Sequence, residues 1–549
     1  MSLQFITGGS GAGKSEYLSR LVCEESVRRP HDNFIVVVPE QYTMETQKKL
    51  VHMHSRKGIL NIDVVSFERL AYKVFEELGG GNRPVLDDTG KNLIVRRVLE
   101  KEKKKLDYFG SSIEKTGFVS ELKSVISELL QYGITPQQLG EIGENVKEKQ
   151  QLSAKLKDIR LVYKEFMAFL STNYITSEEI LDVLCGLVEK SKLIAGSEII
   201  FDGFTGFTPI QYKLMRLLLV YSKSIKISVT IDKKERPTGH EGWNNLFFMS
   251  KEMMNRLIAI CEEEGINVDD TVCVDRDINY RYEGAKDLAY LERNLFRYKG
   301  GVYTGTPENI RIYEGSNPKE ELQYIVSEIL QLTRKEGFRY RDIAVVTADL
   351  ETYGKVAANM MKQNDIPAFL DYKRSVASNP YVEMLCSALE IVEKGYPYDT
   401  MFRYLRTGLT GISRHDIDML ENYCLAVGIR GSRAWHEPWK KKMKRSTYQP
   451  ELETLNALRE QIMALFLNLE AVLKDKEANV RAYVTAVYEF VTALHSAEQI
   501  KALSECEPAG NEYEQLYAKV LELFDRIVEL LGEENVSLKE FNRIVAAGF

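Results

Sequence analysis

The sequence predicts an α/β chain, with a parallel sheet covered by helices on both faces and interrupted by large all-α insertions. Three observations carry that reading. Phe34–Val38 (FIVVV), Glu198–Asp202 (EIIFD) and Ile225–Ile231 (IKISVTI) are short runs with apolar centres, as strands covered on both faces require. Helical segments separate them. From about residue 83 to 192, and again beyond about 380, strand signals vanish and apolar residues recur three and four apart.

Taken in order, Leu3–Thr7 is a strand, a glycine-rich turn follows, and a helix runs from Lys14 to Arg28. Phe34–Val38 is ended by Pro39, which cannot continue a central strand. A helix from Thr43, the strand Ile62–Ser66 and a helix from Phe67 complete the run. Within the first helical stretch, Phe118, Leu122, Val125 and Leu129 share one face, as do Leu152, Leu156, Ile159, Phe166 and Phe169. The alternation resumes with Glu198–Asp202, a helix over Pro209–Tyr221 and Ile225–Ile231.

We expect a first core from residues 1–82 and 193–275, enclosing a helical insertion at 83–192. Residues 275–308 are polar and irregular, a crossover. A second core at 276–379 is expected to use strands at Asn309–Tyr313, Asp342–Thr347 and Ala368–Asp371, with helices from Pro318 and up to Gln363. Residues 380–549 then form its helical insertion, and the sheet has too few strands to be finished, which suggests a fragment. At about 150 residues per domain, 549 residues fit three or four such units.

A net charge of -7 excludes a protein that coats nucleic acid through bulk positive charge, though not one with a local basic channel. No run of 18 apolar residues and no secretory leader is present, and the seven cysteines form no C-x-x-C pair. Small buried thiols in the cytoplasm are the expectation, without a histidine or cysteine metal cage.

The chemistry starts at Gly8, Gly9, Ser10, Gly11, Ala12, Gly13, Lys14 and Ser15, which fit G-x-x-x-x-G-K-[ST] between a strand and a helix. Chance gives this pattern in roughly one chain in fifty of this length. Backbone N–H groups would close around the phosphates of ATP, Lys14 would reach the β- and γ-phosphates, and Ser15 would join a Mg²⁺ shell. Asp202, ending EIIFD, is the candidate second acid for the metal, and Gly203 follows it. Gln41, Thr43, Phe67, Arg69, Tyr72, Phe204 and Phe207 sit in loops at the same strand-end edge, where bases can be stacked and hydrogen-bonded. Lys101–Lys105 and Lys440–Arg445 both read as solvated helix faces. Lys440–Arg445, beside Trp435 and Trp439, is the better nucleic-acid candidate of the two charge runs.

GGSGAGKS, VPEQYT, SFERLAY, IFDGFTGF and the block from Ile343 to Leu385 together resemble the B subunit of bacterial ATP-dependent helicase/deoxyribonucleases, the AddB (RexB-like) family. The likeness runs to about residue 400. It implies superfamily 1 helicase-like RecA cores of the P-loop NTPase kind, an A-subunit partner that carries the motor, and double-strand break resection for homologous recombination. It also implies single-stranded DNA scanned for the Chi sequence, with an iron–sulfur-stapled nuclease domain beyond residue 549. The departures suggest a degraded motor. Gly203 stands where Glu is usual, ISVTID keeps Asp232 without the glutamine that senses the γ-phosphate, and Thr347 and Ala348 stand where an arginine is usual. Nor is there room before Leu3 for the loop that reads adenine. Two other readings stay open, an active DNA-dependent ATPase and helicase, and a structural scaffold with a relic P-loop.

Overall fold

A computed structural model describes residues 1–549 except 80–83, 114, 116, 147–148, 237–241, 298–300, 371–375, 377–378, 444–449 and 507–509. Nine strands are present among the described residues: β1 (Ser2–Gly8), β2 (Asn33–Val37), β3 (Ile62–Val65), β4 (Val85–Leu86), β5 (Ile175–Thr176), β6 (Ser197–Phe201), β7 (Ser224–Thr230), β8 (Asn267–Val268) and β9 (Val272–Cys273). Seven form one sheet in the order β3-β2-β6-β7-β1-β8, with β9 also on β1, and every pair is parallel. β8 and β9 pair with successive parts of β1, Leu3 facing Val268 and Ile6 facing Val272, so they act as one interrupted edge strand.

The alternation of side chains decides which face each residue serves. Phe34, Val36 and Val38 pack with Leu18, Val22 and Leu50 on one face. Ile35 and Val37 pack with Leu70, Val74, Leu214 and Leu218 on the other. Both faces are therefore dry, which is why these strands read as nearly continuous apolar runs.

The helical residues assemble differently. Those of the first stretch (Leu93, Leu99, Leu122, Ile159, Phe166) share a single core with those of the last (Leu385, Tyr404, Phe466, Phe490, Phe541). Arg97 donates to Glu540 at 2.7 Å and Arg543 to Glu100 at 2.8 Å across this junction. Ile175, Ile180, Leu184 and Val188 instead pack on the sheet. Of the expected helix faces, Leu122, Ile159 and Phe166 are buried, whereas Val125 and Leu152 point to solvent and Val119 and Ile126 take the inner positions.

The second α/β unit is not built as expected. Its helices are present at Pro318–Lys335 and Leu350–Gln363 and pack through Leu322, Val326, Ile329 and Met360. Asn309–Tyr313 and 343–347 are irregular, with Ile312 95% and Val346 91% exposed, and 368–370 are irregular as well. Asp342 ends a short 3₁₀ turn, and Asp371 lies outside the described residues. A strand is held by its neighbours' hydrogen bonds, and none of these runs pairs with a described strand. No helix among the described residues is long and apolar enough to cross a membrane.

Candidate nucleotide and nucleic-acid edge

In an all-parallel sheet every strand's carboxyl end points the same way. The turns after β1, β2, β3, β6, β7 and β9 therefore gather at one edge. The chain leaves β1 for β2 on one side and reaches β8 and β9 on the other, so the turn after β1 sits where the strand order reverses.

Residues 8–15 form that turn. The helix Lys14–Arg28 begins after Gly13 with no side chain capping it, which leaves first-turn N–H groups free for an anion. Lys14 folds back, its Nζ donating to the carbonyls of Gly8 and Gly9 at 2.9 Å each. Burial pushes its ammonium below the usual lysine range, with Asp202 and Asp275 opposing the shift. Ser15 lies exposed in the first helical turn. This donor set fits a polyphosphate.

Asp202 follows β6, separated from β1 by β7. Its carboxylate accepts a 2.5 Å hydrogen bond from Ser228 on β7, which fixes its direction. Ser15 and Asp202 alone would give Mg²⁺ few protein oxygens. That suits an ion which keeps waters and takes its other ligands from phosphates. Gly203 has φ +84°, a left-handed conformation that a glutamate at this position would hold only with strain.

The segment expected to be mere crossover lies across the turn. Gly9 N–H donates to Asp275 at 3.0 Å, and the same carboxylate accepts from the N–H of Lys233 at 3.0 Å. Asn279 donates to the Ser10 carbonyl at 3.3 Å, and the Tyr282 hydroxyl lies 3.4 Å from that of Ser10. A Cβ at Gly11 would come within 2.5 Å of Arg281 Cβ, so only glycine allows this approach. Arg281 and Glu292 are both close enough to bear on the charge of Lys14. The sequence signal was there, in Asn279-Tyr280-Arg281 soon after the apolar Val272–Val274, but the polarity of the stretch hid it.

The aromatic loops divide into exposed and buried members. Gln41 is exposed on the 3₁₀ turn Glu40–Tyr42. Arg69 is exposed and paired with Glu40 at 2.8 Å, joining the turns after β2 and β3. Tyr72 is partly exposed, its ring edge-on to Phe75. Phe204 and Phe207 are half-buried, 5.5 Å apart, and both meet Phe67 edge to face. Phe67 itself is a core ring against Phe201, and Thr43 is buried with its hydroxyl donating to the Glu40 carbonyl. These two support the edge from below. Trp435 and Trp439 are core residues at 1% and 5% exposure, packed with Tyr423, which removes the aromatic half of the second charge run. Lys444 and Arg445 lie outside the described residues.

Sheet, edge and glycine-rich cradle define an α/β protein with its candidate site at the carboxyl ends of parallel strands. A family model described as ADDB, N-terminal, matches residues 5–292, more than half of the chain, and the chain belongs to that family. A protein of Lachnoclostridium phytofermentans, named as the B subunit of an ATP-dependent helicase/deoxyribonuclease, is 42% identical over 561 residues, covering 100% of this chain and 49% of the relative. Proteins of the same name from Caldanaerobacter subterraneus and Clostridium novyi are 35% and 33% identical, each over 100% of this chain and 48% of their own length. The chain thus spans about half the length of the curated relatives it matches.

Proposed function

We propose that this chain is the helicase-like half of a helicase/deoxyribonuclease B subunit that works with an A subunit in double-strand break resection. On this reading it holds ATP with Mg²⁺ at residues 8–15 and lays single-stranded DNA along the neighbouring strand-end loops, where a sequence such as Chi is sensed. The supporting observation is the shared edge: the glycine-rich turn, Asp202 and the Phe204–Phe207 pair all follow carboxyl ends of one parallel sheet.

The nucleotide would be gripped by the first-turn N–H groups and Lys14, with Arg281 added from the segment above. Ser15 and Asp202 would hold the metal. Turnover is expected to be weak, because the position after Asp202 is a left-handed glycine with no carboxylate to orient water. The second reading, an active ATPase, draws on Asp275 and Glu292 beside Lys14. Asp275 already accepts two backbone hydrogen bonds, which leaves Glu292 as its stronger candidate for a base.

The test is titration with a fluorescent ATP analogue and Mg²⁺, comparing wild type with Lys14→Ala. A charge-assisted contact is worth about 1.5–3 kcal/mol, so the variant should bind roughly ten- to a hundredfold more weakly. Folded protein without saturable binding would favour a scaffold with a relic loop. Turnover abolished by Glu292→Gln, with the A-subunit motor disabled, would favour the active enzyme.

A further inference from the structure

Glu292 stands half-buried beside the glycine-rich turn, its Oε1 3.2 Å from where a Cβ on Gly9 would be. Its carboxylate makes no hydrogen bond or ion pair with any described residue. A carboxylate held partly out of water without a partner costs free energy, so the fold itself gains nothing from this charge. Its position is nonetheless fixed. The helix Lys286–Asn294 that carries it is tied at its first turn, where Asp287 accepts from the N–H groups of Glu308 and Asn309 at 2.9 and 2.7 Å. In its last turn Arg293 donates to the Arg276 carbonyl at 2.8 Å.

A second unpaired charge belongs to the same neighbourhood. Arg281, on the 3₁₀ turn Tyr280–Tyr282, is exposed, and its guanidinium also has no partner among the described residues. Arg281 and Glu292 both bear on the charge of Lys14, yet they do not pair with each other. Asp202 and Asp275 bear on it too, so three carboxylates stand against two cations before any ligand arrives. A bare polyphosphate, negative throughout, meets net repulsion in such a site. A polyphosphate complexed with a divalent cation brings both signs, anionic oxygens for Lys14 and Arg281 and a positive centre that offsets the carboxylates.

We infer that Glu292 is a specificity-determining residue, which admits the metal complex of a nucleotide and turns away the uncomplexed polyphosphate. The inference deepens the proposed nucleotide site and rests on it. Asp275 is less suited to the role, because its two oxygens already accept from the N–H groups of Gly9 and Lys233 at 3.0 Å each. Glu292 is the carboxylate whose charge nothing in the fold offsets. It acts here on binding, across a distance, and not on turnover.

The test uses the full-length subunit assembled with an A subunit disabled for nucleotide binding, as wild type, Glu292→Gln and Glu292→Asp. Each is titrated with a fluorescent ATP analogue, once in excess Mg²⁺ and once in EDTA. Glu292→Gln should bind the metal-free analogue about five- to tenfold more tightly than wild type, and the Mg²⁺ complex within about twofold. Glu292→Asp, which keeps the charge, should follow wild type in both. Added salt should narrow the gap between wild type and Glu292→Gln in EDTA. Equal affinities of these two in EDTA, or equal shifts in both metal states, would overturn the selectivity and leave the nucleotide site standing. Loss of affinity for the Mg²⁺ complex in Glu292→Gln would make the residue a contact of that complex, and would also overturn the proposal. Absence of saturable Mg²⁺-complex binding by the wild-type assembly would remove the nucleotide reading itself.

Discussion

The two stretches of the strand-end edge are made differently. Around residues 8–15 the contacts are polar and already closed: Lys14, Asp275, Asn279 and Tyr282 all meet the turn's own backbone or side chains. Around Phe204 and Phe207 the contacts are rings on rings, with an exposed salt bridge joining the neighbouring turns. A compact anion is gripped through fixed N–H directions, whereas a base of any identity needs only a flat face. The same sheet can thus serve two ligands through two kinds of chemistry.

That contrast makes the two stretches separable by mutation. After Lys14→Ala, the largest effect is expected from Arg281→Ala, which should weaken ATP-analogue binding about tenfold and leave oligonucleotide affinity within about twofold. Equal losses of both ligands would show one coupled site. Phe204→Ala should do the reverse, weakening oligonucleotide binding about five- to tenfold by anisotropy with nucleotide affinity intact. A pH series sharpens the difference further. Lys14 has its pKa lowered by burial, so its charge is lost as pH rises at a point below the ordinary 10.5. Nucleotide affinity should fall there, while DNA affinity resting on the rings of Phe204 and Phe207 should not. Gly203→Glu should lower stability by about 1–2 kcal/mol by thermal unfolding without raising turnover, because the left-handed backbone comes at a cost and the carboxylate is not aimed. Smallest is Glu40→Gln. Freeing Arg69 from an exposed ion pair should tighten DNA binding by no more than about threefold.

How much was legible beforehand follows the range of the interactions. β1, β2, β3, β6 and β7 were readable to within a residue or two, because strands dry on both faces carry their own apolar signature. The turn at residues 8–15 was readable because its glycines and lysine are contiguous. β8 and β9 were missed, since two-residue strands at a sheet edge have no periodicity to detect. Asp275 and Arg281 were missed for a related reason: they meet the glycine-rich turn across more than 260 residues, and no local pattern encodes that distance. Asn309–Tyr313 and the run to Thr347 have strand-like sequences and no strand, which shows that propensity needs neighbours. Trp435 beside a lysine run looked like a binding surface for the opposite reason, because burial is invisible to composition.

The shared helical core also bears on synthesis. The Asp88–Glu102 helix emerges early, but partners that complete its packing, including Glu540 and Arg543, are 443 residues downstream. At about 5–20 residues per second, that is a wait of roughly 20–90 seconds on the ribosome. For that interval Leu93, Ile94 and Leu99 lack part of their eventual cover. The nascent chain therefore carries a sticky helix for much of its translation, and the α/β body and the helical body should mature in that order.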